Sequence, residues 1–119
     1  MSDASTTLQK LKDEIAQFVH ERDWNQFHSP KNLSMNISLE AAELMEKFLW
    51  IESSASHAEV DANRQEIEDE VADIFMALLC FCNATGIDLT KALEHKRALT
   101  AAKYPVDKAK GRSTKYTKL

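Results

Sequence analysis

The sequence predicts an all-α fold, a four-helix bundle-like domain spanning residues 1–119. Three observations carry that expectation. Only two Gly and two Pro punctuate 119 residues, too few for many short strands joined by tight turns. Apolar residues recur at three- and four-residue spacing in four separate stretches. The connections between those stretches are short and polar.

Residues 1–6 are expected to fray. Leu8, Leu11, Ile15 and Phe18 then share one helical face, giving a first helix to about Arg22. Asp23 to Ser29 is irregular and aromatic. Pro30 suits the first turn of a second helix with Ser29 as its N-cap. That helix is expected to reach about Glu52, with Leu33, Ile37, Leu44, Phe48 and Ile51 as its apolar stripe. After a polar break, Ser56 followed by Glu59 fits a capping box and opens a long third helix. Ile67, Val71, Ile74, Leu78 and Cys82 are its stripe, and Gly86 is its C-cap. From Ile74 to Cys82 it is apolar all round, which in so small a domain favours a face covered by another subunit. Asp88 caps a fourth helix that ends before Tyr104-Pro105. Residues 105–119 form a basic tail without periodicity.

The formal net charge is −4. Five Lys or Arg against one Asp put the tail at +4 and leave the remainder at −8. An acidic body argues against a nucleic-acid-binding surface. The only two cysteines, Cys80 and Cys82, sit in an apolar helical run and read as small core residues in a reducing compartment. No signal peptide is expected, and the longest apolar run, broken by Asp73, is too short to span a bilayer. A cytoplasmic protein with no membrane partner is the expectation.

The acidic residues are patterned. Glu40 and Glu43 lie three apart on the second helix, and Glu70 and Asp73 lie three apart on the third. Residues three apart share a helix face. Each pair borders its helix's apolar stripe, so packing the two stripes together brings four carboxylates face to face. Such a cluster repels itself unless cations or protons neutralise it. An all-oxygen donor set favours Mg²⁺, with Mn²⁺ as a substitute, over Zn²⁺ or copper. A carboxylate-bridged di-iron centre pairs Glu with Glu-x-x-His, and no His here lies three residues after a Glu. Two rivals stand beside the metal site: ordinary solvated helix charges, and a noncatalytic helical assembly module.

E-A-A-E at Glu40–Glu43, a 26-residue gap, then E-V-A-D at Glu70–Asp73 resembles the signature of the MazG-like all-α nucleoside triphosphate pyrophosphohydrolases. E-R-D-W-N-Q-F-H at Glu21–His28, N-L at Asn32–Leu33, F-L-W at Phe48–Trp50, K-Y-P at Lys103–Pro105 and K-Y-T-K-L at Lys115–Leu119 are similar to the dCTP pyrophosphatase branch of that family. The resemblance implies a dimer or tetramer that hydrolyses a (deoxy)nucleoside triphosphate to the monophosphate and pyrophosphate. It implies Mg²⁺ on Glu40, Glu43, Glu70 and Asp73. One of these carboxylates is expected to orient the attacking water, and Glu43 is the residue chosen for it. It also implies Trp24 and Trp50 at the base, and Lys96, Lys115 and Tyr116 near the phosphates. Asn32 and His28, within the matched motifs, are further substrate-binding candidates, and His28 reads equally as a cap of the next helix. The chain departs from that branch at Ile15, Ala77 and Thr100, where the branch has His, Tyr and Asn.

Overall fold

The computed structural model describes all 119 residues, Met1–Leu119. It is all-α, with six α-helices, three short 3₁₀ turns and no strand. The helices are α1 (Leu8–Glu21), α2 (Pro30–Glu46), α3 (Ser56–Ala62), α4 (Arg64–Thr85), α5 (Leu89–Lys103) and α6 (Val106–Ala109). The chain divides into two compact units, Met1–Gly86 and Ile87–Leu119.

In the first unit, α2 packs along α4 over the longest shared surface, and α1 packs across α4. Val19, Leu33 and Cys80 form a buried cluster, one residue from each of these helices, with Ile15, Phe18 and Phe81 against it. Ile67, Ala77, Leu79 and Cys82 extend the buried side of α4. Of the expected stripes of the second and third helices, Leu33, Ile67 and Cys82 are buried, Ile37, Leu44, Phe48, Ile51, Ile74 and Leu78 are half-buried, and Val71 alone is exposed. Met35, Leu39, Met45, Leu49 and Phe75, which lie outside those stripes, are exposed too.

Several helix ends follow the sequence. The Ser29 hydroxyl accepts from the Asn32 N–H at 3.1 Å, with Pro30 in the first turn. Gly86 closes α4 with φ +72°, a conformation glycine adopts without penalty. In the second unit, Asp88 caps α5 by accepting from the Lys91 N–H at 2.9 Å, and α5 stops at Lys103 before Tyr104-Pro105.

Others do not follow it. α2 ends at Glu46 rather than near Glu52, and residues 47–50 continue as turns. The expected capping box at Ser56 is absent. The Ser56 hydroxyl instead donates to the Ser53 carbonyl at 2.7 Å, and Glu59 accepts from the Asn63 side chain at 2.8 Å. Asn63 leaves the helical region at φ −125°, ψ 38°, so the expected long third helix is two, α3 and α4. The hydrophobic period runs across Asn63 and does not register the change in its backbone. Residues 3–5, expected to lie outside regular structure, form a turn closed by Ser5 N–H to Ser2 O at 3.1 Å. The tail also holds structure: α6, and a 3₁₀ turn at Tyr116–Lys118.

Candidate metal and nucleotide site

The α2–α4 contact brings Glu40, Glu43, Glu70 and Asp73 together. One carboxylate oxygen from each lies within 4.8 Å of all the others. Glu40 and Glu70 are half-buried, while Glu43 and Asp73 are exposed at the rim. Each pair sits one helical turn apart beside its apolar stripe, so burying the stripes aligns the acids.

This packing leaves an electrostatic debt. The Oε2 atoms of Glu40 and Glu70 are buried without a hydrogen-bond partner. Burial, together with the hydrogen bond and the charge of neighbouring Glu43, pushes the Glu70 carboxyl above its ordinary range. Asp73 adds to the rise and Lys47 opposes it. Buried acceptors are rarely left orphaned, and four close carboxylates favour any cation they can share.

A hard divalent cation fits the donor set. Oxygens on opposite sides of Mg²⁺ stand about 4.2 Å apart, and those around Ca²⁺ about 5 Å. The observed spread lies in that range, and each carboxylate has a second oxygen to offer. The Lys47 ammonium also reaches the cluster, 3.5 Å from Glu66 Oε2 and 4.0 Å from Glu70 Oε1. The sequence reading did not single out Lys47. Its place one helical turn beyond Glu43 was the available signal.

Beside the carboxylates lies a cavity of about 140 Å³. Phe18, Val19, Trp24, His28, Leu33, Met76, Ala77 and Cys80 give it a largely apolar wall, and Asn36, Glu40 and Asp73 give it a polar edge. A larger cavity of about 480 Å³ shares Val19, His28 and Cys80 with it and adds Ala16, His20, Asn25, Asn83 and Ala84. Phe18, Asn36 and Met76 are further residues that sequence reasoning missed. Asn36 stands one turn before Glu40, and Phe18 was assigned to the stripe of the first helix.

The other expected site residues are distributed as follows. Trp24 and His28 line the cavity. Asn32 is exposed, and its side-chain amide donates to the Phe27 carbonyl at 3.0 Å, which steadies the turn before α2. Trp50 is 90% exposed and lies outside both of these cavities. Ile15 packs in the core cluster, and Ala77 is buried at the cavity wall. Lys96 lies exposed on α5 and Lys115 in the tail, both within the second unit. There Tyr116 docks: its N–H donates to Tyr104 Oη at 3.2 Å, the two rings meet edge to face, and Lys103 Nζ stands 4.8 Å from the Tyr116 ring.

Comparison with known proteins bears directly on this arrangement. The model of the MazG-like family matches residues 35–119, a span that holds all four carboxylates. The chain is 34% identical over 115 residues to dCTP pyrophosphatase 1 of Bos taurus, covering 95% of this chain and 68% of the bovine protein. Over the same coverage it is 31% identical to dCTP pyrophosphatase 1 of Homo sapiens. The crystal structure of a pyrophosphatase from Archaeoglobus fulgidus superposes with a TM-score of 0.81 at 32% identity, covering 88% of this chain and 98% of the archaeal one. The chain belongs to the MazG-like family and is a nucleoside triphosphate pyrophosphohydrolase.

Proposed function

We propose that the enzyme hydrolyses dCTP, or a related or modified pyrimidine deoxynucleoside triphosphate, to the monophosphate and pyrophosphate, clearing it from the nucleotide pool. The observation that carries this reading is the adjacency of the four-carboxylate cluster to a small, aromatic-walled cavity, with Glu40 and Asp73 belonging to both. A triphosphate and a base need two such environments side by side. The similarity to dCTP pyrophosphatases supports the choice of base.

Mg²⁺, with Mn²⁺ as a substitute, suits the all-oxygen donors, and Glu40, Glu43, Glu70 and Asp73 would hold it. When bound, such a cation offsets the acidity of the cluster, draws in the phosphates and lowers the pKa of water. Of the two rim carboxylates, Glu43 and Asp73, Glu43 is assigned to orient a water from the solvent side. Trp24 supplies a stacking face for the base and His28 a hydrogen-bonding group beside it. Lys96, Lys115 and Tyr116 are assigned to the outer phosphates on the strength of the family resemblance.

The same reading makes the enzyme a homodimer or homotetramer. Met35, Leu39, Met45, Leu49 and Trp50, with Val71 and Phe75 on α4, are large apolar side chains left exposed, the kind of surface a second subunit covers. Cytoplasmic placement fits the unpaired Cys80 and Cys82, and no single helix is long and apolar enough to cross a membrane.

The test is pyrophosphate release from a panel of dNTPs and NTPs, with and without Mg²⁺. A preference for dCTP or a modified pyrimidine that requires the metal supports the proposal. Equal rates on purine and pyrimidine triphosphates would overturn the base assignment, and full activity in chelator would overturn the metal assignment.

A further inference from the structure

The turn between α1 and α2 holds the one non-glycine residue with a left-handed backbone, Asp23 at φ +54°. An L side chain is disfavoured there, and glycine is the residue that adopts it freely. What glycine cannot supply is a carboxylate, and here the carboxylate is used. The Gln26 side-chain amide donates to both the Asp23 carbonyl, at 3.0 Å, and Asp23 Oδ2, at 3.1 Å.

The reversal at Asp23 folds the chain back on α1. Asp23 N–H donates to the His20 carbonyl at 3.0 Å and Trp24 N–H to the Val19 carbonyl at 3.1 Å. Trp24 thereby lands edge-on against Phe18, with centroids 5.8 Å apart and planes at 72°. The Arg22 guanidinium stacks 3.6 Å from the Phe18 centroid and donates to the Phe18 carbonyl at 2.9 Å. Trp24 remains 44% exposed, so part of its indole is open to a ligand. Phe18 and Trp24 both line the cavity that also touches Glu40 and Asp73, whereas Asp23 and Gln26 line no part of it.

We infer that the Asp23–Gln26 pair is a positioning clamp, fixing the Trp24 indole at a set place relative to the carboxylates so that a base stacked on it meets them in register. The inference rests on the reading that this cavity takes the base. The clamp residues do not touch the nucleotide. Their effect is on the affinity for it, through the order they impose on Trp24, and not on the chemical step.

The protein has only two tryptophans, so fluorescence in a Trp50→Phe parent reports on Trp24 alone, while kinetics are read in the otherwise wild-type chain because the resemblance places Trp50 at the base. Asp23→Gly removes the carboxylate half of the clamp, leaving only the bond from Gln26 to the backbone carbonyl, and relieves the left-handed strain. The expected result is an unchanged or higher Tm, increased acrylamide quenching and lower anisotropy of Trp24 without nucleotide. KM for dCTP should rise about fivefold, within the worth of one aromatic stack, with kcat within about twofold of the parent. Asp23→Asn tolerates the left-handed backbone and keeps an acceptor, so it should restore the parent's quenching and KM. Gln26→Ala should reproduce the loss of order and the rise in KM without the gain in Tm. The inference is overturned if Asp23→Gly leaves quenching and KM at parental values, or if KM rises only alongside a fall in Tm and kcat. A Trp24→Ala variant with parental KM would instead overturn the base-cavity reading, and Trp24 quenching in Asp23→Gly then decides the clamp by itself.

Discussion

Glu40, Glu43, Glu70 and Asp73 stand on two long helices, whereas Trp24 and His28 stand on a short irregular turn, and Glu40 and Asp73 share one cavity with that turn. The helical group is held by the burial of the stripes it borders, so its geometry comes with the core. The turn is held by a series of local bonds: Asp23 to His20, Trp24 to Val19, Gln26 to Asp23, Asn32 to Phe27. The first arrangement is strong and charged, and it resists change until the helices separate. The second is adjustable, since each bond can be altered without disturbing the core. An enzyme that keeps one reaction while varying its substrate benefits from such a division: chemistry on the helices, selection on the turn.

The largest expected effect breaks the helical half. Glu40→Gln or Asp73→Asn should lower kcat/KM by on the order of 10²–10³-fold, since a positioned charge is removed where the phosphates gather charge. The metal-free variants should nonetheless melt a few degrees higher than wild type, because one of four repelling carboxylates is gone. Activity assays beside thermal melts in chelator measure both. A variant that loses activity and stability together would mean that the carboxylates hold the fold rather than the substrate.

Next in size is the turn. Trp24→Ala should raise KM by about tenfold, a loss of ~1–3 kcal/mol of stacking, with kcat changed far less. Steady-state kinetics with dCTP and a purine dNTP separate the possibilities. If kcat falls as much as KM rises, Trp24 serves the chemical step and the division between helices and turn does not hold.

The helical half was legible in the sequence because it is periodic. Three-residue spacing beside an apolar stripe places Glu40 and Glu43 on one face, and Glu70 and Asp73 on another, before any coordinates are known. Ser29, Gly86 and Asp88 were legible as caps for a similar reason, each acting within one turn. The turn was legible only as an aromatic irregularity. Nothing in D-W-N-Q-F-H announces that Asp23 is left-handed or that Gln26 bonds back to it, since those facts follow from tertiary fit to α1. Lys47 escaped notice because a lysine on an acidic helix reads as solvated. Asn63 escaped because the hydrophobic period runs across the break between α3 and α4, although the backbone does not.

A smaller effect concerns pH. In the metal-free protein the raised Glu70 pKa means the folded state holds a proton that the unfolded chain releases near its ordinary value of 4.5. Stability from that group is therefore present at low pH and lost as pH rises through the folded pKa. Bound Mg²⁺ needs the deprotonated carboxylate, so its stabilisation grows over the same interval. The gap in Tm between Mg²⁺-loaded and metal-free protein should widen from pH 5 to pH 8, reaching about 5 °C when Mg²⁺ is at ten times its Kd. Glu70→Gln should flatten the pH dependence of the metal-free curve. A gap that is constant with pH would separate the titration of Glu70 from metal binding.

The smallest effect tests whether the helical cluster carries its own counter-charge. Lys47 Nζ lies 4.0 Å from Glu70 Oε1 and 3.5 Å from Glu66 Oε2, and Glu66 is largely exposed, so solvent screens much of the interaction. Such a pair contributes ~0.2–1 kcal/mol. Lys47→Met keeps the aliphatic stem and removes the charge. Metal-free protein should lose about 1–3 °C in Tm, the equivalent of that range for a domain of this size. Mg²⁺ should bind about two- to fivefold more tightly, because a competing cation has left the ligand field. Both changes should shrink in 0.5 M salt, where the Debye length falls to about 4 Å. Calorimetric titration of Mg²⁺ at low and high salt reads the effect directly. Weaker Mg²⁺ binding in Lys47→Met would reverse the assignment: Lys47 would then be holding Glu70 in its ligating position rather than standing in for the metal.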